Sequence, residues 1–293
     1  MHGLTFFCGG IISIQELTSI ASLKRTLKRL GLGPAKIRGQ HFLVRQSVLQ
    51  RIVEASDLDP DDCVIEIGPG LGVLTRELAS RVRRVLAVEV DEVLVATLKR
   101  EFANLPNVTV LHADARNLDI ESVLGEESKY KVVANLPYYA ANPIIRRFLE
   151  TTRKPDSLVV MLQREVAKVM VAVPGSMSLL SVAVQFYGSP SIVITVPPAS
   201  FHPVPKVTSA VVHIRVYPRT ELPFDDTEAF FRLVRAGFSA PRKQLRNSLA
   251  VGLGASSYES EEVLVKAGID HRRRAETLSL DEWSALHMAN RLD

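Results

Sequence analysis

Between positions 63 and 162, apolar and polar residues alternate in blocks that predict strands and helices in turn. Short β-branched runs bounded by turn-forming residues are typical of buried strands, and apolar residues three or four apart indicate helices packed on them. The predicted strands are 63–67, 85–89, 108–112, 130–134 and 157–162, and the predicted helices are 73–82, 91–102 and 141–150. This alternation predicts an α/β fold with a mostly parallel sheet covered on both faces.

The segments on either side of this block follow other patterns. Towards the N-terminus we predict a helix at 16–31, which stops at Gly31 to Pro34, and a second helix through residue 55 capped by Ser47. Residues 191–196 and 210–217 predict two strands without a long helix between them, as at a hairpin-like sheet edge. After Pro218 the helical patterns are 226–239, 242–251, 259–267 and 281–291.

These patterns divide the chain into three parts. Residues 1–35 form an N-terminal extension, residues 36–218 an α/β domain, and residues 219–293 a small all-α C-terminal domain. The apolar stretch at 4–12 has no basic residue before it, which favours an extension over a signal peptide.

The composition is typical of a globular protein, with 46% hydrophobic and 23% charged residues. No apolar run approaches the roughly 20 residues that a membrane-spanning helix needs. The two cysteines, Cys8 and Cys63, are far apart and lack CxxC spacing. This usage favours a reducing, cytoplasmic compartment over disulfides or a zinc site, so we expect neither membrane nor metal contacts.

Positive charge is concentrated at the N-terminus. The whole chain carries +4, but residues 1–45 carry +6 and the remaining residues together carry −2. The cations of this basic arm are Lys24, Arg25, Lys28, Arg29, Lys36, Arg38 and Arg45. Such an arm favours an anionic polymer as partner. The alternative is a solvated amphipathic helix, since Leu23, Leu27 and Leu30 recur at helical spacing.

A glycine-rich turn joins the first predicted strand to its helix, with Gly68, Gly70 and Gly72 following Glu66. Glycines there let a ligand approach the backbone, and a helix N-terminus favours negative groups. The turn suits a dinucleotide, another nucleoside or a tight packing corner. Val73 departs from the dinucleotide fingerprint, which requires a small residue at that position.

Two carboxylates follow at the ends of the next strands. Glu89 ends the second strand, where a carboxylate accepts hydrogen bonds from both ribose hydroxyls of a nucleoside, a placement that NAD shares. Asp114 follows the third strand, where it can accept from the amino group of an adenine. Each acid alone is more typical of a solvated loop, but their succession at strand ends favours a nucleoside site.

The sequence Asn135-Leu136-Pro137-Tyr138 follows a β-branched apolar run. Asn offers a carbonyl acceptor, the residue before Pro is held extended, and Tyr offers a face for stacking. At the carboxyl end of a strand, this tetrapeptide suits an exocyclic amino group beside a flat ring. The alternative is a plain strand-ending turn.

Together these segments resemble the rRNA adenine N6,N6-dimethyltransferase family of S-adenosylmethionine-dependent methyltransferases. The resemblance covers residues 36–290, and its motifs lie in the family's order at 39–43, 66–72, 88–91, 114–115, 135–138 and 201–209. It implies a Rossmann-like class I methyltransferase domain and a helical domain that recognises rRNA. It also implies S-adenosylmethionine contacts by His41, Leu43, Gly68, Gly70, Glu89, Asp114, Ala115 and Asn135, although many relatives have Asn in place of His41.

The same resemblance implies the catalytic residues Asn135, Leu136, Pro137, Tyr138 and Phe201. The Asn135 oxygen and the carbonyl of Leu136 or Pro137 are expected to accept from the N6–H groups of the adenine. Tyr138 and Phe201 are expected to stack on the two faces of a flipped base. The alternative for Phe201 is an aromatic residue of the core.

For RNA contacts we predict Lys24, Arg25, Lys28, Arg29, Arg242, Lys243 and Arg246, the last three on one side of a helix, with a solvated helix face as the alternative. The segment 271–279 resembles the C-terminal signature of the small-subunit members of the family. The expected substrate is therefore two adjacent adenosines in a hairpin loop near the 3′ end of 16S rRNA, within a pre-30S or 30S particle, and the expected enzyme is a monomer. Alternatives are a large-subunit methyltransferase of the antibiotic-resistance type, a non-catalytic assembly factor and an NAD-dependent dehydrogenase.

Overall fold

The computed structural model describes residues 19–32, 40–218 and 226–290. Some predictions lie outside these residues. They concern the extension up to residue 18 with Cys8, the helix stop at 33–34, the cations Lys36 and Arg38, and the domain boundaries near 35 and 219.

The described chain contains nine strands and twelve α-helices. The strands are β1 (Phe42–Leu43), β2 (Cys63–Ile67), β3 (Arg84–Glu89), β4 (Val108–His112), β5 (Lys131–Asn135), β6 (Ser157–Gln163), β7 (Gly188–Val196), β8 (Phe201–His202) and β9 (Ser209–Val216). The helices are α1 (Ile20–Arg29), α2 (Gln46–Ala55), α3 (Val73–Ala79), α4 (Glu92–Glu101), α5 (Ile120–Leu124), α6 (Ala141–Glu150), α7 (Arg164–Met170), α8 (Leu179–Tyr187), α9 (Thr227–Gly237), α10 (Leu245–Leu253), α11 (Ser257–Lys266) and α12 (Leu280–Asn290).

Seven strands form the central sheet in the order β4-β3-β2-β5-β6-β9-β7. The first five in this order are parallel, and β9 and β7 complete the sheet in antiparallel pairings. This confirms the predicted α/β class, the mostly parallel sheet and the hairpin-like edge. The chain runs outward from β2 to β4 and then crosses to β5, so a crevice lies at the carboxyl ends of β2 and β5.

The inner strands of the sheet are buried on both faces because their alternate side chains enter different cores, whereas the edge strands β4 and β7 are partly exposed. On β2, Ile65 and Ile67 belong to the larger core, which includes α6 and α8, whereas Val64 belongs to a core with α2 and α3. The C-terminal helices adjoin the larger core directly, since Phe230 of α9 stacks on Phe186 of α8 at 4.8 Å between ring centroids.

Helix α1 packs on the α/β domain by its apolar face. Leu23 and Leu27 are buried against Leu71 of the glycine-rich turn and Leu94 of α4. The four cations of α1 lie on its exposed face. The helix is therefore amphipathic, and its exposed face is basic.

The structure corrects two predicted helix starts. Helix α2 begins at Gln46 after an extended Arg45, so Ser47 lies inside the helix and is not its cap. Helix α10 begins at Leu245 after an extended Gln244, and Arg242 and Lys243 lie in the preceding turn. The prediction that Arg242, Lys243 and Arg246 share one side of a helix is wrong, because the first two precede the helix.

Candidate active site

A pocket opens at the carboxyl ends of β2, β3 and β5, where the chain order reverses across the sheet. The structure brings nearly all of the predicted cofactor and catalytic residues to its wall. They are His41, Leu43, Gly68, Gly70, Glu89, Asp114, Ala115, Asn135, Leu136, Pro137 and Tyr138.

The glycine-rich turn forms one side of the pocket. Its backbone adopts conformations that favour glycine. Gly68, Gly70 and Gly72 have φ angles of +67°, +60° and +80°. A Cβ on Gly72 would lie 2.6 Å from the Phe102 ring, so a side chain there would also clash with the core. The turn thus brings backbone, without side chains, close to a ligand.

Glu89 is 4% exposed and ties the glycine-rich turn to the end of β3. Its Oε2 accepts a hydrogen bond from the Gly70 N–H at 3.2 Å, and its Oε1 accepts from Val90 and Asp91 at 2.9 and 3.1 Å. Burial raises the pKa of Glu89, while these three backbone donors oppose the rise. A carboxylate fixed in this way can present its remaining lone pairs to the hydroxyls of a ribose.

Glu66 is a buried carboxyl on the pocket wall beside Glu89. Its Oε2 has no hydrogen-bond partner among the described residues, and burial raises its pKa to about 8. A nearby Glu89 contributes in the same direction. This oxygen can accept a hydrogen bond from an N–H donor of a ligand, or pair with a positively charged group of a ligand.

Asp114 lines the pocket, and its side chain is held by Arg116. The backbone N–H and the guanidinium of Arg116 both donate to its carboxylate, with Nη2 at 2.5 Å from Oδ2. These bonds hold the pKa of Asp114 below its usual range. Arg116 also lines the pocket, and the sequence analysis did not select it.

The tetrapeptide that ends β5 is fixed by hydrogen bonds on three sides. Asn135 Nδ2 donates to the His41 carbonyl at 3.2 Å, so the amide oxygen is the group left to accept from a substrate. The Leu136 N–H donates to the Met161 carbonyl at 3.0 Å, and the Pro137 carbonyl accepts from the Ala140 N–H at 2.9 Å. Since the Pro137 carbonyl is engaged, the Leu136 carbonyl is the better candidate for the second acceptor.

Tyr138 is half-buried at the pocket, and its ring is anchored at both ends. Its hydroxyl lies 2.7 Å from Ser209 Oγ, and its ring stacks on His41 with centroids 5.6 Å apart. His41 Nδ1 donates to the Pro203 carbonyl at 2.7 Å, because a carbonyl can only accept. Sequence reasoning missed this use of Ser209, although it belongs to the quoted segment 201–209.

Phe201 does not line the pocket in this structure. Its side chain is 1% exposed and packs in the core of α2 and α3, next to Leu43 across the β1–β8 pairing. A ring without an exposed face cannot stack on a base, so this conformation corrects the expected second wall. The exposed aromatic residue that does line the pocket is Tyr139, which is 73% exposed and was not predicted.

Helix α1 covers another side of the pocket, since Leu23 is one of the lining residues. The predicted basic arm therefore contributes an apolar side chain to the pocket as well as exposed cations. The structure confirms the amphipathic helix that the leucine spacing predicts, with its leucines and its cations on opposite faces of α1, while the contact of these cations with an anionic polymer stays a prediction.

A basic surface lies where the turn before α10 meets the segment 271–274. The Leu245 N–H donates to the Arg273 carbonyl at 2.7 Å, which brings the exposed Arg272 and Arg274 beside that turn. The basic surface consists of Arg242, Lys243, Arg272 and Arg274. Arg246 is not part of it, because its side chain is only 33% exposed and pairs with Glu261 at 2.7 Å, whereas Arg272 and Arg274 stay 70% and 54% exposed beside Asp270 and Glu276.

The described ranges, 19–32, 40–218 and 226–290, hold no group of three or more His, Cys, Asp or Glu side chains suited to a metal ion. No helix in these ranges is long and apolar enough to cross a bilayer.

The chain matches the family model described as ribosomal RNA adenine dimethylase over residues 35–287. A relative from Dehalococcoides mccartyi (strain ATCC BAA-2100 / JCM 16839 / KCTC 5957 / BAV1) is 48% identical over 91% of this chain and 92% of its own. Another, from Alkaliphilus metalliredigens (strain QYMF), is 40% identical over 93% of this chain and 97% of its own. Both are named ribosomal RNA small subunit methyltransferase A.

Two solved structures share the fold over most of the chain. The 23S rRNA methyltransferase ErmE is 27% identical, with a TM-score of 0.67 over 84% of this chain and 98% of its own. A dimethyladenosine transferase from Plasmodium falciparum is 23% identical, with a TM-score of 0.72 over 83% of this chain and 95% of its own. These likenesses confirm the predicted class I methyltransferase fold.

The pocket fits the cofactor of such enzymes on its own chemistry. The backbone of Gly68 and Gly70 without side chains, the carboxylate of Glu89 and the unsatisfied oxygen of Glu66 suit a nucleoside that carries positive charge. S-adenosylmethionine has both features. The family model and these relatives show that the chain belongs to the ribosomal RNA adenine dimethylase family, whose members are S-adenosylmethionine-dependent methyltransferases that act on rRNA.

Proposed function

We propose that this enzyme dimethylates N6 of two adjacent adenosines in a hairpin loop near the 3′ end of 16S rRNA, within a pre-30S or 30S particle. The observation that carries the proposal is the near full-length match to relatives named ribosomal RNA small subunit methyltransferase A. The fixed amide of Asn135 at the pocket supports the reaction type.

On the cofactor side, Glu89 holds the ribose hydroxyls and Asp114 accepts from the adenine amino group. His41, Leu43, Gly68, Gly70 and Ala115 complete the cofactor site together with Asn135. The placement of all these residues on one pocket wall supports these roles. S-adenosylmethionine supplies a methyl group that its sulfonium charge already activates.

On the substrate side, Asn135 positions the adenine amine for attack. In the first transfer, one N6–H would donate to the Asn135 amide oxygen and the other to the Leu136 carbonyl, which orients the nitrogen lone pair for attack. In the second transfer, the one N6–H that remains would donate to one of these two acceptors. As N6 forms its new bond it becomes positive, and both acceptors then bind it more strongly than before. The proton that N6 loses after transfer passes to solvent. Alignment of this kind contributes on the order of 7–11 kcal/mol.

The aromatic contact to the flipped base comes from Tyr138, whose ring is held in place by Ser209 and His41. Base–aromatic stacking contributes about 1–3 kcal/mol per base. Phe201 is buried, so we assign it to the support of β1 and not to stacking in this conformation. Pro137 shapes the turn and offers no free carbonyl.

The RNA backbone is held by exposed cations in two places. We assign phosphate contacts to Lys24, Arg25, Lys28 and Arg29 on α1, and to the basic surface of Arg242, Lys243, Arg272 and Arg274. Their exposure supports this role. Arg246, which pairs with Glu261, instead fixes α10 against α11.

We further propose that the enzyme works in the cytoplasm as a monomer and without a metal ion. Hydrogen bonds from N6 and alignment with an activated methyl group leave no step that requires a Lewis acid. The family's substrate, rRNA, supports the cytoplasmic location.

The test is methyl transfer to purified, unmethylated 30S particles, followed by mass mapping of the modified nucleotides. We expect N6,N6-dimethyladenosine at two adjacent positions near the 3′ end of 16S rRNA. The alternative substrate is large-subunit RNA, which the 27% identity to the 23S rRNA methyltransferase ErmE favours. Transfer to large-subunit RNA without transfer to 30S particles would establish that alternative.

A further inference from the structure

The carboxylate of Asp114 is fully engaged by one neighbouring residue. Its Oδ1 accepts from the Arg116 backbone N–H at 2.9 Å and from Nε at 3.0 Å. Its Oδ2 accepts from Nε at 3.0 Å and from Nη2 at 2.5 Å. A carboxylate offers about four lone-pair sites, so these four contacts leave little capacity for another donor.

This arrangement conflicts with the role proposed above for Asp114. The amino group of a cofactor adenine needs a lone pair on that carboxylate, and the Arg116 guanidinium occupies both oxygens. The backbone N–H contact comes from the turn Ala115–Asn117 and can remain in place. The guanidinium contacts belong to a flexible side chain, so the side chain is the part that can leave.

We propose that Arg116 gates the adenine subsite, and that its guanidinium must release Asp114 before the adenine amino group can bind there. This inference rests on the proposed role of Asp114 in adenine recognition. The Arg116 side chain is 51% exposed and lines the pocket, so it can swing into solvent without uncovering the core.

The energetic cost of opening this gate is small, because exposed ion pairs contribute little to stability and are screened by salt. Two consequences follow for the free enzyme. Its affinity for an adenine-containing ligand is lowered by the competing guanidinium, and added salt raises that affinity by weakening the ion pair. A ligand without the amino group does not bond to Asp114, so its affinity is neither lowered by the Arg116 guanidinium nor raised by added salt.

The experiment measures Kd by calorimetry for S-adenosylhomocysteine and for its 6-deamino analogue, in which unsubstituted purine replaces adenine. Arg116→Met keeps the backbone N–H and removes the guanidinium. We expect the variant to bind S-adenosylhomocysteine roughly two- to fivefold more tightly than the wild type, with no change for the analogue. In the wild type we expect added salt to increase the affinity for S-adenosylhomocysteine, and this increase should be absent in the variant.

Arg81→Met is the matched control, because Arg81 forms a similarly exposed ion pair with Glu77 and does not line the pocket. It should change neither Kd. Unchanged or weaker binding of S-adenosylhomocysteine to Arg116→Met would overturn the gate. Equal tightening of both ligands would also overturn it, because the effect would then be general electrostatics.

A third variant, Asp114→Ala, separates failure of the gate from failure of the Asp114 assignment. Loss of the preference for S-adenosylhomocysteine over the analogue supports Asp114 as the amino acceptor. If that preference is lost in Asp114→Ala but Arg116→Met behaves like the wild type, only the gate is wrong. If Asp114→Ala keeps the full preference, the assignment of Asp114 is wrong and the gate falls with it.

Discussion

The pocket and the basic surface of the C-terminal helices hold charged groups in opposite environments. Glu66 and Glu89 are 1% and 4% exposed, whereas Arg242 and Lys243 lie in an exposed turn. A buried group acts in a low dielectric with few alternative partners, while an exposed cation competes with water and salt. Changes in the pocket should therefore have large, specific effects, and changes on the basic surface should have small, additive and salt-dependent effects.

The largest effect is expected from Asn135→Ala. Removal of an acceptor that stabilises developing charge typically lowers kcat by about 10²–10³-fold. The reduction should appear in single-turnover methyl transfer to 30S particles at saturating S-adenosylmethionine, where any loss of cofactor affinity from this shared residue no longer affects the rate. The control is Asn104→Ala, an exposed asparagine that does not line the pocket. Unchanged methylation by Asn135→Ala would remove Asn135 from the catalytic role.

A pH-dependent effect on stability is expected from Glu66→Gln. Burial raises the pKa of Glu66 from its ordinary 4.5 to about 8, so the folded state keeps a proton that the unfolded state releases. Stability from this group is therefore greatest below pH 4.5, and it declines as pH rises from 4.5 to about 8. The glutamine variant carries no such proton and lacks this decline.

The measurement is urea unfolding of the cofactor-free protein across that pH range. Relative to the wild type, Glu66→Gln should gain on the order of 2–4 kcal/mol in unfolding free energy between the acidic and the basic end. Glu126→Gln, at an exposed position, serves as control, and its unfolding free energy should change with pH as that of the wild type does. A constant difference between Glu66→Gln and wild type at every pH would contradict the buried neutral carboxyl.

A smaller effect is expected from the double variant Arg242→Ala with Lys243→Ala. Loss of two phosphate contacts should weaken binding to 30S particles roughly tenfold and reduce the slope of log affinity against log salt by about one to two. The control is Lys99→Ala with Arg100→Ala, which removes the same charge from an exposed pair on α4. An equal loss in the control would mean that net charge, and not this surface, determines RNA affinity.

The contrast between the two regions also explains what the sequence could predict. The strands 63–67 and 108–112 and the helix 141–150 were predicted to the residue. The first strand is buried throughout and the helix buries one apolar face, while turn-forming residues mark the bounds of the partly exposed strand 108–112. Helices α7 and α8 were missed. Helix α8 is apolar or buried on nearly every side, since it lies between the sheet and α9, and so it lacks the polar face that marks a helix in sequence.

Within the site, residue types at strand ends were predictable, but their partners were not. The glycine turn, Glu89 and Asn135 follow from local patterns, whereas the contact of Tyr138 with Ser209 joins residues 71 positions apart. The burial of Phe201 likewise depends on the β1–β8 pairing, which no local pattern reveals. The position of Arg242 ahead of α10 depends on where the preceding turn ends.

Helix α1 joins the two environments, and it gives the smallest predicted effect on RNA binding. Its exposed Lys24 and Lys28 should act like the basic surface, so Lys24→Gln with Lys28→Gln should weaken binding to 30S particles about two- to fivefold, more at low salt than at high salt. Cofactor affinity should not change. Leu23→Ala, on the opposite face, should weaken cofactor binding and leave binding to 30S particles unchanged. It removes most of a buried side chain that lines the pocket and leaves every cation in place. Measured side by side by calorimetry and particle binding, a shared loss of both affinities in either variant would show that the two faces of α1 do not act separately.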